Sequence, residues 1–156
     1  MAFPHRRAFI GLGAAWLLAG CGGRADDVSA RRRDLYPNET PQLRALIERY
    51  ADRYDVPVDL VQRVIVREST HNPSARNGPY YGLMQIHPQT ARTMGYRGRP
   101  EGLLDAETNL KYAVKYLRGA WIVADGDRDD AVKWYSRGYY YEARRLGLLE
   151  ETGLRS

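Results

Sequence analysis

"VDLVQRVIVRESTHNPSARNGPYYGLMQI", residues 58–86, joins two patterns that together decide the fold. Leu60, Val61, Val64 and Ile65 recur at the spacing of one helix face, and the same stripe advanced by three or four residues arrives at Glu68. A helix starting near Pro57 is therefore expected to carry a lone carboxylate toward its buried side. Asn72-Pro73 is expected to end that helix, because the residue before a proline is pushed out of the helical region. Beyond it, Gly78, Pro79 and Gly82 permit a tight chain path, and Tyr80–Ile86 is the only stretch with extended character.

Working outward, the remaining signals are helical. Thr40 can cap a helix with Pro41 in its first turn, and Leu43, Leu46, Ile47, Tyr50 and Tyr54 repeat every three or four residues. Pro88 can open a short helix ending at Gly95. Asp105 can cap a long one in which Leu110, Ala113, Val114, Leu117 and Trp121 share a face up to Gly126. Further helical turns are expected around 131–137 and 139–146. With no repeat and no heptad array, the pattern predicts a mainly α single domain with a small extended hairpin or loop beside Glu68.

The chain has 156 residues, enough for one domain with a real core and short appendages. Its net charge of +5 includes Arg6 and Arg7 of an N-terminal segment that resembles an export signal, so the remainder is only mildly basic and nucleic acid is not expected as a partner. Residues 1–20 place basic residues before an apolar run from Ala8 to Ala19, too short to span a bilayer comfortably. Leu18-Ala19-Gly20-Cys21 resembles a lipobox and Arg6-Arg7 a twin-arginine signal. The expectation is an exported protein held by a lipid on Cys21 at the outer or inner membrane, working in the periplasm. Cys21 is the sole cysteine, which excludes an intrachain disulfide and a thiolate zinc cluster. His5, His71 and His87 show no paired ligand spacing, so neither a metal nor another cofactor is expected. Residues 21–40 lack apolar periodicity and read as a flexible linker, with the folded domain at 41–156.

A carboxylic acid brought to a buried stripe has its pKa raised by desolvation, which suits a proton donor at neutral pH. The alternative is an ordinary helix-end charge paired with Arg67 or Arg63. The loop favours the first: open glycine backbone reads hydroxyls and acetamido groups, and Tyr80 and Tyr81 offer flat faces to sugar rings.

Glu68-Ser69, Asn72-Pro73, "GLMQI" at 82–86, Pro88, Thr90-Ala91, "NLKYAVKYL" and "WYSRG" at 134–138 resemble, in order and spacing, the lytic transglycosylases related to goose-type lysozyme. The resemblance covers most of residues 43–147. It implies a lysozyme-like α fold and non-hydrolytic cleavage between N-acetylmuramic acid and N-acetylglucosamine of peptidoglycan glycan strands, leaving 1,6-anhydro ends. Glu68 would be the catalytic residue, acid and then base. It further implies that Gln85 contacts sugar, unless its bond merely closes the loop. Tyr135 would orient the acid or the acetamido group, unless it is a core tyrosine. Tyr81, Gly82, Asn77 and Ser69 complete the expected substrate-binding set, although Ser69 could simply brace the helix end. A monomer is expected.

Three departures bear on saccharide preference. The loop between Glu68 and Gly82 is one residue shorter than in better-known relatives, leaving Asn77 as the nearest polar candidate for their substrate-contacting serine. Ser136 stands where asparagine is usual. His87 either touches sugar or caps the helix at Pro88. Two rival functions stay open: a hydrolytic muramidase, which needs a second carboxylate such as Asp105 or Glu107 facing Glu68, and a peptidoglycan-binding protein that does not cut.

Overall fold

A computed structural model describes residues 34–155. The expected signal peptide 1–20, Cys21 and residues 22–33 of the expected linker lie outside the described residues. Helix α1 (Pro41–Arg53) starts where the Thr40 hydroxyl accepts from the Leu43 amide at 3.1 Å; such a cap contributes about 1 kcal/mol. Leu43, Ile47 and Tyr50 are buried along one face. Helix α2 (Val58–Glu68) buries Leu60, Val61, Val64 and Ile65 almost completely, each stabilising the fold by about 1.5–3 kcal/mol relative to exposure.

Helix α2 stops at Glu68, before the expected break at Asn72-Pro73. Thr70 and His71 have φ of +50° and +61°, a region L residues seldom occupy. The amides of Ser69 and Thr70 both turn back to the Ile65 carbonyl. The helix therefore closes ahead of the proline, on backbone bonds to Ile65.

Strands β1 (Arg76–Asn77) and β2 (Tyr80–Tyr81) form an antiparallel hairpin pairing Arg76 with Tyr81 and Asn77 with Tyr80. Gly78, at φ +55°, makes the turn, and Tyr81 bridges on to Ile86. Helix α3 (Pro88–Thr93) follows, then a 3-10 helix (Pro100–Leu104) that no sequence signal announced. Helix α4 (Ala106–Val123) is capped by Asp105, α5 (Arg128–Arg137) by Asp127, and α6 (Tyr140–Leu146) ends at Gly147 in the left-handed region. Helix α4 is the spine: it packs against α1, α3, the 3-10 helix, α5 and α6, while α2 also meets α5. The architecture is mainly α with a hairpin beside Glu68, as the sequence predicted.

The folded body extends upstream of Pro41. Glu39 is buried and accepts from Arg44 and Gln62, so the last residues of the segment expected to be linker belong to the domain. Pairing with a cation is what allows a carboxylate to be buried there. Among the described residues no helix is long and apolar enough to cross a membrane.

Candidate active site

Glu68 ends α2 with its side chain 25% exposed. Burial pushes its carboxyl above the usual carboxylate range, and the Arg67 guanidinium, 3.6 Å away, opposes the shift only in part. The acid therefore holds its proton to a higher pH than an exposed carboxyl would, the direction that suits a proton donor.

The 81–86 loop facing it is held by Asn109, which the sequence pattern did not single out, and by Ser69 and Tyr135, which it did. Asn109, fully buried on α4, accepts from the Met84 amide at 3.0 Å and donates to the Tyr81 and Leu103 carbonyls, both at 2.8 Å. All three of these buried backbone groups are thereby satisfied. Gly82, at φ +73°, lies so close to this amide that a Cβ would collide with Asn109 Nδ2 and Leu103 O. Ser69 Oγ donates to Leu83 O at 2.7 Å, tying the end of α2 to the loop. Tyr135 Oη donates to Met84 O at 2.8 Å, fastening the same loop to α5.

A cleft of about 340 Å³ opens over Glu68, lined by Arg67, Asn77, Tyr80, Gln85, Tyr135 and Ser136. It adjoins a second arm in which Ile86, His87, Thr90, Tyr116, Arg137 and Gly138 continue the wall around the shared Tyr80, Gln85, Tyr135 and Ser136. Glu68 is the sole carboxylate among these residues. Tyr135 is neutral, because burial and then the nearby Glu68 charge raise its phenol well above its usual range. Tyr116 stacks edge-on against it at 5.5 Å, and burial pushes the Tyr116 phenol up to about 12.

Of the expected site residues, Glu68, Gln85, Tyr135 and Asn77 come together on the cleft. The amide of Gln85 does close the loop, donating to Gly82 O at 2.8 Å and Ala75 O at 3.1 Å, while its buried Oε1 has no partner among the described residues. Tyr81, Gly82 and Ser69 do not line the cleft. Tyr81 is 6% exposed, and its hydroxyl accepts from Arg76 at 2.8 Å. The strand alternation turns Tyr80, 45% exposed, outward in its place. Gly82 and Ser69 are engaged in holding the loop. His87 Nδ1 accepts from the Gln89 amide, capping α3, and its ring also borders the second arm. Asp105 caps α4, and Glu107 accepts from Tyr50 and Arg49; neither faces Glu68 across the cleft.

A family model described as "Transglycosylase SLT domain" matches residues 45–146, a span that runs from α1 through the cleft to the end of α6. The chain belongs to the transglycosylase SLT domain family. This SLT domain is 35% identical over 92 residues to "Membrane-bound lytic murein transglycosylase F" of Desulfosudis oleivorans, covering 58% of this chain and 19% of that protein. It is 32% identical over 124 residues to the protein of the same name in Shewanella woodyi, covering 75% and 25% of the two chains. To "Membrane-bound lytic murein transglycosylase E" of Buchnera aphidicola it is 34% identical over 80 residues, covering 46% and 36%. The chain thus spans a minor part of the length of each of these relatives. No solved structure matches it.

Proposed function

We propose that this SLT domain is a peptidoglycan lytic transglycosylase that cleaves the N-acetylmuramic acid–N-acetylglucosamine β-1,4 bond without water. The observation that carries this is a single half-buried carboxylic acid, Glu68, in a cleft whose lining holds no second carboxylate. Glu68 protonates the leaving glycosidic oxygen as the bond to C1 breaks, and the substrate's own acetamido oxygen assists at C1. The Glu68 carboxylate then takes the proton from the muramoyl C6 hydroxyl, whose oxygen closes on C1 to give the 1,6-anhydro ring. Glu68 ends the cycle protonated, as it began, so one carboxyl group suffices where most glycosidases need two.

Asn77 and the outward face of Tyr80 supply polar and stacking contacts to sugar, and Gln85, whose amide nitrogen closes the loop, stands beside them on the cleft wall. The hydrolytic muramidase is disfavoured because Asp105 and Glu107 are committed to other partners. For localisation, the lipobox-like Cys21 and the membrane-bound relatives support export and lipid anchoring at a membrane facing the periplasm, with the domain acting as a monomer.

The test is release of soluble fragments from purified sacculi by the wild type and by Glu68→Gln, alongside sedimentation of each protein with the sacculi. Lost release with retained binding is expected for the variant. Equal release by both proteins would remove Glu68 from the chemistry, and no release by either would favour a binding protein.

A further inference from the structure

The turn that leaves Glu68 is strained. Thr70 and His71 both adopt positive φ, and a β-branched residue there persists only where its surroundings impose it. What surrounds this turn is residues 34–39. Asn38 Nδ2 donates to Thr70 O at 3.0 Å. The Tyr36 ring stacks on the His71 ring with centroids 5.1 Å apart and planes 16° from parallel. Underneath, Glu39, with no exposed side-chain surface, accepts from the Tyr36 amide at 3.0 Å, from Arg44 Nε and Nη2 at 2.8 and 2.7 Å, and from Gln62 Nε2 at 2.7 Å. Gln62 Oε1 in turn receives His71 Nε2 at 2.6 Å. Because the Gln62 amide nitrogen faces a carboxylate, its oxygen faces the ring, so Nε2 carries the His71 proton. His71 Nδ1 has no partner among the described residues, so Gln62 and Tyr36 are the contacts that fix the ring.

We propose that residues 34–39 act as a strap that positions the acid. Through Asn38, Tyr36 and the Glu39–Gln62–His71 chain they hold the left-handed Thr70–His71 turn, and with it the end of α2 on which Glu68 stands. The strap touches neither cleft arm, so Tyr36, Asn38 and Glu39 are positioning residues. This rests on the proposed role of Glu68 and adds a requirement that residues 45–146, matched by the family model, do not contain. Small errors in the placement of a catalytic group lower turnover by on the order of 10- to 100-fold even when the altered residue lies far from the chemistry.

The test uses the full chain carrying Tyr36→Ala with Asn38→Gly. Neither change removes a hydrogen-bond partner of Glu39, which accepts from the residue 36 backbone amide, Arg44 and Gln62, and glycine tolerates the φ of +65° at Asn38. Two quantities are read: kcat and KM on sacculus-derived glycan strands, and the Glu68 titration midpoint by NMR with the carboxyl carbons labelled. The charged or titratable groups on the cleft around Glu68 are Arg67, Tyr80 and Tyr135, all unchanged. Expected are a kcat lower by about tenfold or more, an unchanged KM, and a Glu68 midpoint displaced toward that of an exposed carboxylate. Tyr36→Phe, which keeps the stacking ring, should restore both. Native kcat and a native midpoint in the double variant would overturn the proposal, as would a change confined to KM. If the double variant does not fold, Asn38→Gly alone, at an exposed bond, gives the same two readouts in reduced size. The midpoint needs no turnover: a displaced midpoint in a chain that cuts nothing would uphold the strap and sink the enzymatic proposal.

Discussion

Replacing Asn109 by aspartate should make the fold pH-sensitive in a direction opposite to most carboxylates. The side chain is fully buried; its Oδ1 accepts from Met84 N, and its Nδ2 donates to Tyr81 O and Leu103 O. The substituted carboxyl keeps the first bond. In its ionised form it cannot donate, so two buried carbonyls lose their partner and face a negative oxygen. Stranding two buried carbonyls costs about 2–6 kcal/mol, at about 1–3 each, and the unpaired buried charge adds to this, so a loss of at least about 3–5 kcal/mol is expected at pH 7. Protonation restores one donor and removes the charge, so the folded-state pKa lies above the unfolded value of about 3.9. For an acid shifted this way, the stabilising contribution is present below about pH 4 and lost as pH rises through the folded pKa. Urea denaturation of both proteins at several pH values from 4 to 8 should give a difference that widens with pH. Turnover should fall as well, because the pinned segment carries Gln85. A difference below about 1 kcal/mol that is flat with pH would refute the assignment of Asn109 as the pin of this loop.

Three other outcomes follow from the site. Glu68→Gln should raise the melting temperature at pH 7 and leave it unchanged at pH 4, because an acid with a raised folded pKa loses its favourable contribution as pH rises; a lower melting temperature at pH 7 would contradict the desolvated acid. Tyr135→Phe leaves the buried Met84 carbonyl without its donor and should cost about 1–2 kcal/mol in urea denaturation, with reduced kcat; unchanged stability and rate would make the bond incidental. Tyr80→Ala removes an exposed ring from the cleft wall, so KM for glycan strands should rise several-fold while stability changes by less than about 0.5 kcal/mol; unchanged KM would take Tyr80 out of sugar binding.

The helices were legible because their signals are local. The stripe from Leu60 to Ile65 carries Glu68 to the groove, and Thr40, Pro88 and Asp105 mark helix starts that the structure keeps. The hairpin register was not legible. Two adjacent tyrosines give no local reason for one to turn in, and the choice of Tyr80 for the cleft follows from bonds made by Asn109 and Arg76. Ser69 has the composition of a sugar-binding residue, but its hydroxyl is taken by Leu83 O. Glu39, Gln62 and His71 are too far apart in sequence for any periodicity to relate them. The signal that could have found Gln62 and Asn109 is a lone amide on an otherwise apolar helix face, since such a group must be satisfied once buried.

One carboxyl group, that of Glu68, should cut the glycan with no water entering the product. Mass spectrometry of muropeptides released from sacculi by the wild-type chain tests it directly. Muramoyl ends lighter by one water than the reducing sugar are predicted. Reducing ends that take up heavy oxygen when digestion is run in 18O-labelled water would contradict it.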